Sequence, residues 1–133
     1  MAEALSWVGT PFHDCAGVKG HGTDCVHLLI AVFANVGVIE RFDPAPYRPQ
    51  WFQHRDEPKF LDGMKAQGAR QIDPAQALPG DVLMYNYGRH AAHGAIVIDE
   101  HSIVHAYKPA HMVVRSDRGE LAGRLDSAWT LFA

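Results

Sequence analysis

Cys25 lies where an apolar helix is predicted to begin, a position at which a thiol can act as a nucleophile. From Cys25 onward the apolar residues recur at intervals of three and four, which predicts a helix with one buried face over residues 24–36. Thr23 or Asp24 can cap its start, and Gly37 can end it. Because the N–H groups and dipole of a helix start favour an anion, we expect a lowered pKa for the thiol.

A packing role is the competing interpretation of Cys25, because cysteines on apolar helix faces are usually buried and inert. Cys15 falls in a glycine-containing stretch, residues 12–23, which we interpret as a loop, so Cys15 is predicted to be non-catalytic. A catalytic role for Cys25 requires a base and a third group that fixes the tautomer of that base.

Two histidines on predicted strands can supply those groups. His93 opens the strand predicted over residues 93–98, and His105 lies within the strand predicted over 103–107. His93 is therefore the candidate base and His105 the candidate orienting group. His90 is an alternative base, and its position in a predicted loop suggests instead that it lines the cleft or is exposed.

The spacing of the two histidines constrains the connection between their strands. Twelve positions separate them, so in an antiparallel hairpin they share a face only if the loop has an odd number of residues or a bulge intervenes. We expect a three- or five-residue connection around Asp99. We also expect the helix start at Cys25 to pack against the face that carries both histidines.

A zinc site is the second interpretation of the histidine content, since the chain has nine histidines and two cysteines. No Cys-x-x-Cys pair, a spacing typical of zinc ligands, is present. We therefore predict neither a metal nor another cofactor. The candidate ligands under the alternative are Cys15, Cys25, His90, His93 and His105.

Helical patterns come first in the chain and strands later, which predicts an α+β fold with an antiparallel sheet. Helices are predicted over residues 2–8, 24–36 and 59–67, and a proline-rich, aromatic surface segment over 41–58. Five strands are predicted over residues 82–87, 93–98, 103–107, 112–115 and 128–132. The chain length suits one domain, residues 1–133, with the N-terminal helices packed on a sheet of about five strands.

Composition narrows the classes of partner. The net charge is −3 without a long basic run, which argues against nucleic-acid binding. No apolar run is long enough to span a membrane. The N-terminus lacks the pattern of a signal peptide, so we expect synthesis in the cytoplasm without one.

Five motifs in order resemble the successive blocks of the NlpC-type cysteine peptidases, papain-like enzymes that cut bacterial cell-wall peptides. The similarity extends over nearly the whole chain. The opening residues 9–13 look most like those of the phage tail-associated branch, which includes phage-like gene transfer particles. The five blocks are Thr10-Pro11-Phe12, Asp24-Cys25, Leu78-Pro79-Gly80-Asp81-Val82, His93-Gly94-Ala95-Ile96-Val97 and Ile103-Val104-His105-Ala106.

The resemblance implies roles for individual residues. It makes Cys25 the nucleophile, His93 the base and His105 the third polar group. Asp24 matches a position that helps to hold the free amine of the peptide stem in cell-wall relatives. The sequence departs from the family pattern in having Phe12 where tyrosine is usual and Val26-His27 where a small pair is usual.

The implied function is hydrolysis of a peptide bond in the peptidoglycan stem, by resemblance the γ-D-glutamyl–diaminopimelate bond, with Asp24, Phe12 and His13 as candidate substrate-binding residues. The implied location is a phage-like tail that acts on the cell wall, with tail hub or tip proteins as partners. Two alternatives stay open, namely a structural tail component with little activity, and an amidase or acyltransferase that uses the same thiol.

Overall fold

The computed structural model describes residues 1–42, 59–87 and 90–132, and for residues 59–62, 87 and 90–92 the backbone alone. The helices are α1 (Ala2–Leu5), α2 (Cys25–Asn35) and α3 (Lys59–Ala66). The strands are β1 (Gly17–Val18), β2 (Gly22–Thr23), β3 (Arg70–Ile72), β4 (Val82–Tyr87), β5 (His90–Val97), β6 (Ser102–Tyr107), β7 (Met112–Asp117) and β8 (Leu125–Thr130). The predicted α+β class is confirmed, and the predicted surface segment lies outside the described residues from position 43 to 58.

Six of these strands form one antiparallel sheet in the order β3-β8-β4-β5-β6-β7 within the described residues. The sequence pattern predicted five and missed β3, a short and largely exposed strand that pairs with β8. It also missed the hairpin of β1 and β2 in the predicted loop. Two-residue strands are too short to show alternation in a sequence, so their pairing follows from tertiary contacts.

Helix α2 is the buried element around which the sheet packs. The Asp24 side chain accepts from the N–H of His27 at 2.8 Å and caps its start. At the other end Gly37 has a φ of +78°, and the N–H groups of Gly37 and Val38 bond to the carbonyls of Ala34 and Phe33. This is the Schellman ending, which confirms the predicted stop at Gly37.

The sheet has apolar side chains on both faces. We call the face under α2 the helix-side core; it joins helix residues such as Leu29 to sheet residues that include Met84, Ile96, Val104 and Ala106. The opposite face carries the outer core, under the 3₁₀ segment Arg118–Arg124. Its buried members are Leu83, Tyr85, Ala95, Val97, Ile103, Leu121 and Ala128.

Backbone hydrogen bonds join the stretch before α2 to the edge of the sheet at β7. The N–H of Gly9 bonds to the carbonyl of Val113, and the N–H of Phe12 bonds to the carbonyl of His111. Helix α1 ends at Leu5, earlier than the predicted residue 8. None of the helices in the described ranges has the length and apolar character needed to cross a membrane.

Candidate active site

Cys25 is the first residue of α2, and its surroundings are set by the residue before it. Asp24 is buried and uses both carboxylate oxygens. Oδ1 accepts from the N–H of His27 and lies 2.9 Å from its Nδ1, while Oδ2 accepts from the N–H of Cys15 at 2.7 Å. The carboxylate therefore joins the loop before the helix to its first turn and holds Cys25 in place.

The Cys25 sulfur also contacts the sheet. The backbone N–H of Gly94 on β5 bonds to it and lowers its pKa, as do the N–H groups of Val26 and Cys25 itself. Position 94 has to be glycine for this approach, because a Cβ there would lie 2.5 Å from Cδ1 of Leu29. The start of α2 thus rests on the backbone of β5, one residue from His93.

The predicted lowering of the thiol pKa is wrong for the resting protein. Burial and, after it, the negative charge of Asp24 raise the pKa of the Cys25 thiol to about 12. These two effects outweigh the backbone N–H groups that favour the anion, because the free-energy cost of removing a thiolate from water exceeds the stabilisation by these donors. Cys25 is accordingly a neutral thiol at pH 7.

His93 and His105 form a hydrogen-bonded pair, with Nε2 of His93 2.7 Å from Nδ1 of His105. The register of β5 and β6 brings them together, since Val97 pairs with Ile103 and leaves five residues between the paired positions. The N–H of Ile98 also bonds to the carbonyl of Ser102 across the turn. The predicted odd-length connection around Asp99 is confirmed.

The prediction that this pair faces α2 is wrong. His93 pairs with Tyr85, which belongs to the outer core. His105 alternates with Val104 and Ala106, which belong to the helix-side core. The two histidines therefore project from the face opposite α2, and the helix start meets the backbone of β5 instead of its side chains.

The imidazole pair continues into β7. Nε2 of His105 lies 2.9 Å from Oγ of Ser116, and the ring of Tyr107 stacks on His105 at a centroid distance of 4.8 Å. Ser116 was not predicted from the sequence, because its closeness to His105 depends on the pairing of β6 with β7, in which Val114 lies opposite His105. The alternation of residues on β7 then puts Ser116 on the same face.

Both rings are neutral at pH 7. Burial, and then the neighbouring His105, lower the pKa of His93 to about 3. Burial lowers the pKa of His105 to about 4. An uncharged imidazole can accept a hydrogen bond at one nitrogen while it donates at the other.

The candidate substrate-binding residues lie at the two ends of the loop before α2. Phe12 is half-buried against the helix-side core, and His13 is exposed. His27, one of the two departures from the family pattern after Cys25, turns toward Asp24 and packs against Gly17, where a Cβ would lie 3.0 Å from that of His27. Contacts of Asp24, Phe12 and His13 with a substrate stay predictions.

Cys15 is exposed and has a left-handed backbone with a φ of 58°. The described ranges hold no group of three His, Cys, Asp or Glu side chains arranged to bind a metal ion. The side chain of His90, the alternative base, lies outside the described residues. Which of the two histidines acts as the base therefore stays a prediction.

Together, the thiol at the helix start and the imidazole pair on an antiparallel sheet define an α+β domain of the papain-like fold. The chain belongs to the NlpC/P60 family, whose model matches residues 9–124. No protein with a curated description matches it in sequence.

Solved structures share this fold. The NlpC/p60 domain of the peptidoglycan hydrolase SagA is 22% identical with a TM-score of 0.68, over 97% of this chain and 93% of that one. The peptidoglycan hydrolase RipB from Mycobacterium tuberculosis is 23% identical with a TM-score of 0.66, over 99% of this chain and 62% of that one. NlpC1 from Trichomonas vaginalis is 14% identical with a TM-score of 0.72, over 97% of this chain and 42% of that one.

Proposed function

We propose that this protein is a cysteine peptidase that hydrolyses a peptide bond in the stem peptide of peptidoglycan. The observation that carries the proposal is the hydrogen bond of 2.7 Å between His93 and His105, one residue from the Gly94 N–H that bonds to the Cys25 sulfur. A thiol, a base and a group that orients the base are the parts required for nucleophilic acyl transfer.

The proposed base is Nδ1 of His93, and the contact with His105 supports this choice of nitrogen. Nε2 of His93 is directed at His105, so Nδ1 is the nitrogen that takes the Cys25 proton. The sulfur attacks the peptide carbonyl as this proton leaves, and His93 then returns the proton to the leaving amine. A water molecule, deprotonated by His93, hydrolyses the thioester and regenerates the thiol. The N–H of Cys25 at the helix start is the proposed donor to the oxyanion.

Both partners are neutral before these steps begin. With the Cys25 pKa raised and the His93 pKa lowered, the resting site holds a thiol and an imidazole, not an ion pair. The thiolate then forms during attack, when the substrate is bound. We expect the resting enzyme to react slowly with small alkylating agents at neutral pH.

The proposed substrate follows from the family and from two of the solved structures, which are described as peptidoglycan hydrolases. The proposed bond joins γ-D-glutamate to diaminopimelate. Phe12 and His13 are the proposed contacts with the stem. Asp24 is buried and bonded to Cys15 and His27, so its proposed part in holding a free amine is through its negative charge. The motif over residues 9–13 supports a place in a phage-like tail, where hub or tip proteins would be partners and the cell wall the target.

The test is digestion of purified peptidoglycan by the wild-type protein and by Cys25→Ala, with the fragments identified by mass spectrometry. We expect cleaved stem peptides from the wild type and none from the variant. Cleavage by Cys25→Ala would overturn the nucleophile, and transfer of the acyl group to added amines in preference to water would favour an acyltransferase. An inactive but folded wild type would favour a structural tail component.

A second pair of variants tests the base. His93→Ala should abolish cleavage, whereas His90→Ala should leave most of it, because His93 is the histidine bonded to His105. Circular dichroism confirms that both variants fold. Equal loss in the two variants would contradict the assignment of His93.

A further inference from the structure

We propose that Ser116 is a positioning residue, which selects the working tautomer of the His93–His105 pair by accepting a hydrogen bond from Nε2 of His105. The inference rests on the proposed peptidase function. The contact that carries it is the distance of 2.9 Å between Nε2 of His105 and Oγ of Ser116.

The proposed role of His93 as the base determines where the protons of the resting pair lie. If His93 takes the thiol proton at Nδ1, that nitrogen is unprotonated in the resting ring, so the ring's own proton is on Nε2. Nε2 of His93 faces Nδ1 of His105 at 2.7 Å, and it donates there. His105 must therefore accept at Nδ1.

The state of His105 then determines what Ser116 does. A neutral imidazole has one proton, and burial lowers the pKa of His105 to about 4, so the ring is neutral at pH 7. With Nδ1 accepting, the proton of His105 is on Nε2 and points at Ser116. The hydroxyl oxygen accepts it, and this gives the N–H an acceptor in a ring that is buried.

The reverse arrangement would disable the base. If Ser116 donated to His105, then His105 would donate from Nδ1 to His93, and His93 would carry its proton on Nδ1. That nitrogen is the one required to accept the thiol proton, so the reverse set of tautomers is unproductive. An acceptor at position 116 favours the productive set and supports the positive charge that develops on His93 during attack.

Ser116→Ala removes the acceptor, and Ser116→Thr keeps it with a side chain that suits a strand. Ser102→Ala is the matched control, because Ser102 is also a serine at the β6–β7 pair but bonds to Asp99 and Arg115. We expect Ser116→Ala to lower kcat about three- to tenfold with little change in KM, the range of one lost hydrogen bond. Ser116→Thr should restore the rate, and Ser102→Ala should leave it unchanged.

A second measurement needs no activity. The ¹⁵N chemical shifts of the histidine rings report which nitrogen carries the proton. In the wild-type protein we expect both His93 and His105 protonated on Nε2, and in Ser116→Ala a mixture of tautomers. Protonation of His105 on Nδ1 in the wild type, or an unchanged kcat in folded Ser116→Ala, would overturn the role of Ser116. An inactive wild type with the expected tautomers would overturn the peptidase function and leave the positioning role supported.

Discussion

A Cβ on Gly94 would lie 2.5 Å from Cδ1 of Leu29, so the helix that begins at Cys25 approaches the strand that carries His93 at a position with no side chain on the strand. Leu29 is fully buried. The contact brings the start of α2 to the backbone of β5 and so determines where the sulfur lies relative to His93.

Gly94→Ala should therefore separate the thiol from the base. We expect a loss of about 1 to 3 kcal/mol in the free energy of unfolding, typical of an overpacked core, and a larger relative loss of peptidase activity. Urea unfolding and stem-peptide cleavage measure the two effects. Gly123→Ala is the matched control, because a Cβ there meets no atom within 4 Å. Wild-type stability and activity in Gly94→Ala would contradict the importance of this contact.

Asp24→Asn should have opposite effects on reactivity and stability. Loss of the carboxylate charge lowers the pKa of the Cys25 thiol, which that charge raises. Alkylation of Cys25 at pH 8, resolved from Cys15 by peptide mass spectrometry, should become faster. The free energy of unfolding should fall by about 1 to 3 kcal/mol. The asparagine amide has one oxygen and cannot accept both hydrogen bonds that the two oxygens of Asp24 accept from the N–H groups of Cys15 and His27.

The control for that prediction is Asp73→Asn. Asp73 also caps a helical turn, accepting from the N–H of Ala75 at 2.9 Å, but it is exposed. This variant should leave the alkylation rate of Cys25 unchanged. Slower alkylation in Asp24→Asn than in the wild type would show that the carboxylate does not oppose the thiolate.

The activity of His105 variants should follow the ability of the new side chain to accept a hydrogen bond from His93. Asparagine and glutamine offer an amide oxygen to Nε2 of His93, whereas alanine offers none. We expect His105→Asn and His105→Gln to keep measurable activity and His105→Ala to fall about ten- to hundredfold below them, as for loss of a hydrogen bond to a charged group. Steady-state cleavage rates measure this ranking. Equal rates in all three variants and the wild type would show that His105 has no part in catalysis.

Lowering the pH should destabilise the protein already near pH 6, before its carboxylates begin to take up protons. His93 and His105 have folded-state pKa values of about 3 and about 4, below the usual 6.5. The unfolded chain therefore binds protons first as the pH falls, and stability that is complete above pH 6.5 is lost below it. Between pH 7 and pH 5 we expect a loss of about 2 kcal/mol for each ring.

Urea unfolding at the two pH values measures this loss. His105→Gln removes one of the two rings, so its loss between pH 7 and pH 5 should be about half that of the wild type. The same free energy of unfolding at both pH values would contradict burial of two neutral rings.

The sequence by itself determined the local features of the site. The apolar spacing, the cap at Asp24 and the stop at Gly37 predicted α2 to within a residue at each end. The alternating runs predicted the strands that carry His93 and His105, and their even spacing predicted an odd-length turn. Each of these depends on a few neighbouring residues, through helix hydrogen bonds, turn conformation or the two-residue period of a strand.

The tertiary structure decided what those elements do to one another. The face that carries the histidines, the approach of α2 to Gly94 and the pairing that brings Ser116 to His105 all join residues far apart in the chain. The Cys25 pKa shows the difference most directly. A helix start by itself favours the thiolate. In the folded protein, burial against β5 and the charge of Asp24 raise the thiol pKa and keep Cys25 protonated. The desolvation depends on all the atoms packed around the sulfur, which the local sequence does not determine.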